Sequence, residues 1–180
     1  MPDQPYWGTQ WYIDRATDAE TRSVIAPLFL ELVRREPWQQ SDPHYDLALL
    51  GEPMTAYHPR LVPAVDRGRC LSASIPGVAA VLSTAPLRDL PASLAEQTLA
   101  RLVRHSLGHA LAIPASDRIT GVERRGPERH CTSRCVMRHA ESISALVALA
   151  RDEERMGWPY CPACTADLHS VMVKHSREWN

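Results

Sequence analysis

Four of the five cysteines fall in two close pairs, Cys131-x3-Cys135 and Cys161-x2-Cys164, and this pattern constrains the chain more than any other. A short loop between two thiolates lets both approach one ion from the same side, and a second pair completes a tetrahedron. The spacing predicts a closed, structural zinc site. It would staple the segment around Cys131 to the last part of the chain across an intervening helix. A redox pair at Cys161 and Cys164, or four separately packed thiols, are the alternatives. Cys70 stands apart from both pairs and reads as a small buried hydrophobe.

A disulfide framework does not suit the compartment that the sequence implies. The stretch Met1 to Trp11 is polar and Pro-containing, without the charged start and apolar middle of a signal peptide. No run of 18 apolar residues marks a membrane span. A cytoplasmic location is expected. With 180 residues and 44% hydrophobic content, the chain suits one domain with a real core. The net charge of −1 and the lack of a basic stripe argue against a nucleic-acid or polyanion partner.

Strand and helix patterns alternate early in the chain. Trp11-Tyr12-Ile13 reads as a short first strand, and Thr17 to Arg35 as a helix in which Pro27 marks a kink or a split. Asp46 to Leu50 reads as a strand, Glu52 to Arg69 as a loop, and Gly77 to Thr84 as a buried strand. Leu94 to Leu111 is the best-patterned helix, opened by a capping box at Ser93 and Glu96 and stopped before Pro114. Residues Ala112 to Arg129 read as an irregular charged segment. Ser142 to Arg155 reads as a second good helix, and Ala166 to about Arg177 as a short third. These elements predict an α/β (α+β) single domain, a small mixed sheet packed on helices. Residues 1–111 would end in the metal-binding helix, and residues 112–180 would form a zinc-stapled C-terminal part.

His105 and His109 stand at i and i+4 on the best helix, so both imidazoles project from one face at the spacing one metal ion needs. Leu107, Ala110, Leu111 and Ile113 make their surroundings apolar. Gly108 costs about 1 kcal/mol in a helix interior, which close backbone packing would explain. His44, His58, His139, His169 and His175 have no ligand-like neighbours in sequence and read as structural or exposed. Trp7, Trp11, Trp38, Trp158, Trp179 and Tyr160 read as packing residues.

The motif His105-Ser-Leu-Gly-His109, then His130-Cys131, Cys135-Val136-Met137 and Cys161-Pro-Ala-Cys164, resembles the archaemetzincin family of zinc metallopeptidases over about residues 70–168. The strand Val78 to Ser83 and the turn Pro86-Leu87-Arg88 resemble that family's edge strand. The resemblance implies a metzincin-like fold and two zinc ions per chain. His105, His109 and His130 would hold a catalytic-type zinc with an open fourth position. Cys131, Cys135, Cys161 and Cys164 would hold a structural zinc, and Met137 would be the methionine of the turn beneath the metal.

The chain departs from the family at four places. Ser106 stands where the family has its glutamate, the general base whose contribution is worth about 10²–10⁴ in rate. Ala112 replaces a turn glycine. Residues 110–129 separate the second and third histidines where the metzincin signature has about five, so a long segment is inserted. The first cysteine pair is one residue tighter. Asp117 is therefore an alternative third ligand. The inserted segment offers Glu128 and Glu123 as candidate bases in place of the missing glutamate. It also offers Arg124, Arg125 and Arg129 as candidates to bind an anionic substrate, against the plainer reading of a solvated charged loop.

Three kinds of function fit this pattern. One is a repurposed zinc enzyme, biosynthetic in role, carrying out hydrolysis, condensation or cyclisation at a carbonyl of a small molecule or short peptide. Another is a residual metallopeptidase using a different carboxylate. The third is a pseudopeptidase, a zinc-stapled binding module.

Overall fold

The computed structural model describes residues 8–56, 69–157 and 159–178. His58, Trp7, Trp158, Trp179 and the side chain of His175 lie outside them. Helix α1 (Thr9–Ala16) comes first and is followed by strand β1 (Val24–Ile25) and helices α2 (Ala26–Arg34) and α3 (Pro37–Ser41). The first strand expected at Trp11-Tyr12-Ile13 is helical instead. Tyr12, Ile13 and Ala16 are its buried face, a helical spacing, and Tyr12 packs against Phe29 of α2 with ring centroids 5.9 Å apart. Tertiary burial overrides the β propensity of those three residues.

The helix expected from Thr17 begins only at Ala26. Before it, Asp18 Oδ1 accepts from the amides of Glu20 and Thr21, closing a turn, and Arg22 adopts φ 56°. Pro27 neither kinks nor splits α2 but starts it, because a first-turn proline gives up no helical hydrogen bond.

Strands β2 (Asp46–Leu50), β3 (Met54–Thr55), β4 (Arg69–Cys70), β5 (Ser72–Ile75) and β6 (Ala79–Ser83) follow. One three-stranded sheet runs β2-β6-β5, with β2 parallel and β5 antiparallel to β6. A smaller one runs β1-β3-β4. Every residue of β6 is buried, and its alternating side chains serve two faces. Ala79 and Val81 join the core made with α1 and α2, while Leu82 packs with Leu102 and Leu146 on the other side. The strand taken as an edge is thus interior, and the edges are β2 and β5.

Helix α4 (Ala92–Ala110) crosses behind this sheet for nineteen residues, about 28 Å. Its N-cap is Pro91, and no side chain caps it. The expected box at Ser93 and Glu96 does not form, because the helix starts one residue before Ser93. At the other end the Ile113 amide reaches Gly108 O at 2.8 Å and the Ala112 amide reaches His109 O at 2.9 Å. This pair of bonds places Ala112 at the left-handed position, φ 58°. The chain keeps the glycine-type turn while lacking the glycine.

The charged segment expected to be irregular contains a hairpin instead. Strands β7 (Val122–Arg125) and β8 (Glu128–Cys131) pair antiparallel, with Arg125 opposite Glu128 and Glu123 opposite His130. Gly126, at φ 61°, and Pro127 make the two-residue connection. Helix α5 (Ile143–Met156) is capped by Ser142, whose Oγ accepts from the Ala145 amide, and ends at Gly157, φ 67°. Helix α6 (Pro162–Glu178) starts four residues earlier than expected. The result is a mixed α/β single domain with six helices among the described residues, none long and apolar enough to cross a membrane.

Two glycine-related positions should respond with opposite signs. A Cβ on Gly108 would stand 2.3 Å from the Sδ of fully buried Met137, so Gly108→Ala should cost about 1–3 kcal/mol. Ala112→Gly should relieve a left-handed alanine and gain up to about 1 kcal/mol. Urea midpoints of the two variants check both, and a neutral Gly108→Ala would mean that the helix and Met137 are not in contact.

Candidate metal centre

Buried side chains of α4 recur one turn apart, at Thr98, Arg101 and Leu102, His105 and Ser106, and His109. This stripe carries the histidine pair into the interior. His105 is 8% exposed and His109 3%. The His105 Nδ1–H donates to the Val136 carbonyl at 2.7 Å, which leaves its Nε2 with the free lone pair. That Nε2 lies 3.2 Å from His109 Nε2.

β8 brings the third imidazole. Alternation along the strand sets Glu128 and His130 on one face. His130 is 2% exposed, and its ring centroid is 5.4 Å from that of His105 and 4.7 Å from that of His109. Its Nδ1 is buried with no hydrogen-bond partner among the described residues. Ring nitrogens of His105, His109 and His130 all lie within 4.8 Å of one another. Asp117, the alternative third ligand, is exposed and outside this group.

Burial pushes all three imidazoles down, His105 to about 3, His109 well below the ordinary range and His130 to about 4. They are neutral, as metal ligands must be. Ligand nitrogens on a tetrahedral zinc stand about 3.3 Å apart, from bonds of about 2.0–2.1 Å. The 3.2 Å separation of the two opposed Nε2 atoms matches that edge. The donor set therefore fits zinc.

The thiols give the same result. Cys131, Cys135 and Cys164 are buried and Cys161 is half-buried, and all four sulfurs fall within 4.8 Å of one another. Cys131 Sγ is 3.7 Å from Cys161 Sγ, the edge expected from zinc–sulfur bonds of about 2.3 Å. Hydrogen bonds shared with Cys135 and Cys164 hold the Cys131 thiol low, and the same sharing pushes Cys135 up to about 11 and Cys164 higher still. These shifts put the negative charge on Cys131 and keep Cys135 and Cys164 protonated, and a bound zinc ion would displace those protons. Arg118 adds a positive charge beside the cluster, with Nη1 3.4 Å from Cys164 Sγ and 2.9 Å from Asp167 Oδ2. Because His130 and Cys131 are neighbours in β8, one strand serves both clusters.

Glu128 is the carboxylate nearest the imidazoles. Its Oε2 lies 3.7 Å from His130 Nε2 and 3.9 Å from His109 Nε2, and its Oε1 accepts from Ser74 Oγ at 2.7 Å. Burial raises its pKa, against the pull of Ser74. Glu123 pairs with Arg125 at 3.3 Å instead. Ser106 is 1% exposed, and its Oγ has no hydrogen-bond partner among the described residues.

Beside the imidazoles opens a cleft of about 460 Å³, with Leu71, Leu102, Ile143 and Leu146 on its apolar wall. Its arginines are Arg69 and Arg138. The three proposed from sequence are elsewhere. Arg124 is exposed, Arg125 reaches Glu123 and Glu141, and Arg129 donates to the Arg118 carbonyl.

The sequence reading also missed His139, which lines the cleft with its ring centroid 4.7 Å from that of His130. Its place two residues after Met137 was the signal available. His44 lies near Asp46, 3.4 Å away, and His169 is exposed. Tyr160 packs as expected, its hydroxyl donating to the Arg104 carbonyl at 3.0 Å. Trp11 packs against the core, while Trp38 is 49% exposed and does not. Cys70 is half-buried against the core, and burial pushes its thiol up to about 12.

Among solved structures, the chain is similar to archaemetzincin from Methanopyrus kandleri, with a TM-score of 0.58 and 23% identity over 89% of this chain and 72% of that one. It is also similar to archaemetzincin from Archaeoglobus fulgidus, crystallised in complex with malonate, with a TM-score of 0.55 and 18% identity over 85% of this chain and 74% of that one. The fold is archaemetzincin-like. No family model and no curated protein matches the sequence. Within that fold the chain carries two candidate metal sites, one of four cysteines and one of three histidines.

Cys164→Ser should remove one zinc per chain and cost about 4 kcal/mol or more, the range in which the loss of a structural metal stands out. Cys70→Ser should leave the zinc content unchanged and cost about 1 kcal/mol. Elemental analysis and thermal unfolding of the two variants check this. Equal losses in both would count against a four-cysteine staple.

Proposed function

We propose that the chain is a zinc-dependent enzyme acting at a carbonyl of a small molecule or short peptide, with Glu128 in the place of the missing glutamate. One observation carries this reading: a half-buried carboxylate from the hairpin lies 3.7 and 3.9 Å from two of the three converging imidazoles. His105, His109 and His130 would hold a zinc ion, which when bound would supply Lewis-acid activation of a carbonyl and of water. Glu128 Oε2 takes the proton from the attacking nucleophile and returns it to the leaving group. Ser74 orients it through Oε1.

Ser106 takes no part in proton transfer, because a hydroxyl is no base at neutral pH. Met137 supports the site from below, in van der Waals contact with α4 at Gly108. The apolar wall of the cleft excludes water from the acyl side of the substrate, and Arg138 faces the same space. A cleft of this size suits a small or short substrate, consistent with a biosynthetic role, rather than a folded protein, a nucleic acid or a membrane.

A second reading has its own support. Glu128 is within about 0.5 Å of the spacing a fourth zinc ligand would have. Were it a ligand, the site would be closed, and the protein would be a binding module without chemistry. Turnover of a panel of p-nitrophenyl esters and quenched-fluorescence peptides separates the two. In the enzyme reading, the wild type shows zinc-dependent turnover that falls about 10²–10⁴-fold in Glu128→Gln, with both zinc ions retained. No turnover in the wild type, together with weaker zinc retention in Glu128→Gln, would instead establish the closed site.

A further inference from the structure

Arg101 stands one turn before His105 on α4 and is only 2% exposed. Its Nη1 donates to Glu153 Oε2 of α5 at 2.7 Å. Its Nη2 donates to three backbone carbonyls of one loop, Cys135 O at 3.2 Å, Val136 O at 3.0 Å and Arg138 O at 3.2 Å. Val136 O is also the acceptor for His105 Nδ1–H. Arg104 makes a second ion pair with the other oxygen of Glu153.

A buried ion pair is weak evidence for stability, since desolvation offsets most of its attraction and an apolar residue of similar size often does as well. What an apolar residue cannot do is donate to three carbonyls at once. Only the rigid guanidinium fork reaches an acidic partner on one side and a fan of acceptors on the other. The loop it holds carries a ligand-type cysteine at 135, the acceptor for a ligand-type histidine at 136, and the methionine under α4 at 137.

We propose that Arg101 is a positioning residue for the metal held by the imidazoles, an inference that rests on the reading of that site as a zinc site. By fixing the Val136 carbonyl, Arg101 fixes the plane of the His105 ring and its Nδ1–H tautomer. The direction of the Nε2 lone pair follows. Through Cys135 O the same guanidinium ties this geometry to the four-cysteine cluster, so the two sites share one brace.

The test is metal retention of the zinc-loaded protein, read with a chromophoric zinc chelator and, after cobalt replacement, by the visible spectrum of the histidine site. Arg101→Gln should weaken zinc at that site about 10–100-fold, as loss of an outer partner of a ligating histidine does, with the cysteine-bound zinc kept. Arg101→Lys, which keeps the charge and reaches fewer carbonyls, should fall between and serves if the glutamine variant does not fold. Glu153→Gln removes the ion pair but leaves the carbonyl fan, so it should lower the melting temperature without changing the cobalt spectrum.

Metal retention that tracks melting temperature equally across all three variants would overturn the proposal, leaving Arg101 a packing group. Wild-type retention in both Arg101 variants would overturn it as well, while the zinc site itself stands. A wild type with only one zinc, held by the cysteines, would remove the histidine site and this inference with it.

Discussion

The side chain of Met137 lies so close to α4 that position 108 has room for nothing larger than glycine. Gly108 faces Met137 Sδ at what would be 2.3 Å from a Cβ, and one turn earlier His105 donates to Val136 O. The close approach brings the loop's carbonyl within reach of the imidazole. It also sets Cys135 where it can meet Cys131, which precedes it, and the Cys161–Cys164 pair, which follows. One loop thus serves both clusters, through Cys135 for the thiols and the Val136 carbonyl for His105. A glycine inside a helix is unfavourable on its own. Here it is the condition for the site.

Much of this was legible because it rests on local spacing. The i, i+4 histidines required only helical periodicity, and the two cysteine pairs required only short loops. The strand at Asp46–Leu50 and the capped helix after Ser142 were also local patterns, and both hold. What could not be read depended on distant partners. Trp11, Tyr12 and Ile13 have strand propensities, and only the presence of Phe29 and the rest of α2 makes a helix there the better way to bury them. The role of Arg101 was invisible because its acceptors are backbone carbonyls more than thirty residues away.

The segment between α4 and Cys131 shows the limit most clearly. Its charges made residues 112–129 look like a solvated loop, yet Gly126-Pro127 folds part of it into a hairpin. Two-residue alternation then presents Glu128 and His130 on the same face. The arginines that drew attention in the sequence turn to other partners, Arg125 to Glu123 and Glu141, Arg129 to the Arg118 carbonyl. Ser106 stands between His105 and His109 on α4, and the half-buried Glu128 on β8 is the carboxylate beside two of the three imidazoles. After the helix, Ala112 holds the left-handed position at φ 58°.

The central claim is that two chemically different metal sites share this brace. Anomalous diffraction at the zinc edge, from crystals of the zinc-loaded protein, tests it most directly. Two peaks are predicted, one among the sulfurs of Cys131, Cys135, Cys161 and Cys164, the other among the ring nitrogens of His105, His109 and His130 with Glu128 beside it. A single peak at the sulfurs, with the imidazoles hydrogen-bonded only to protein and water, would contradict the account.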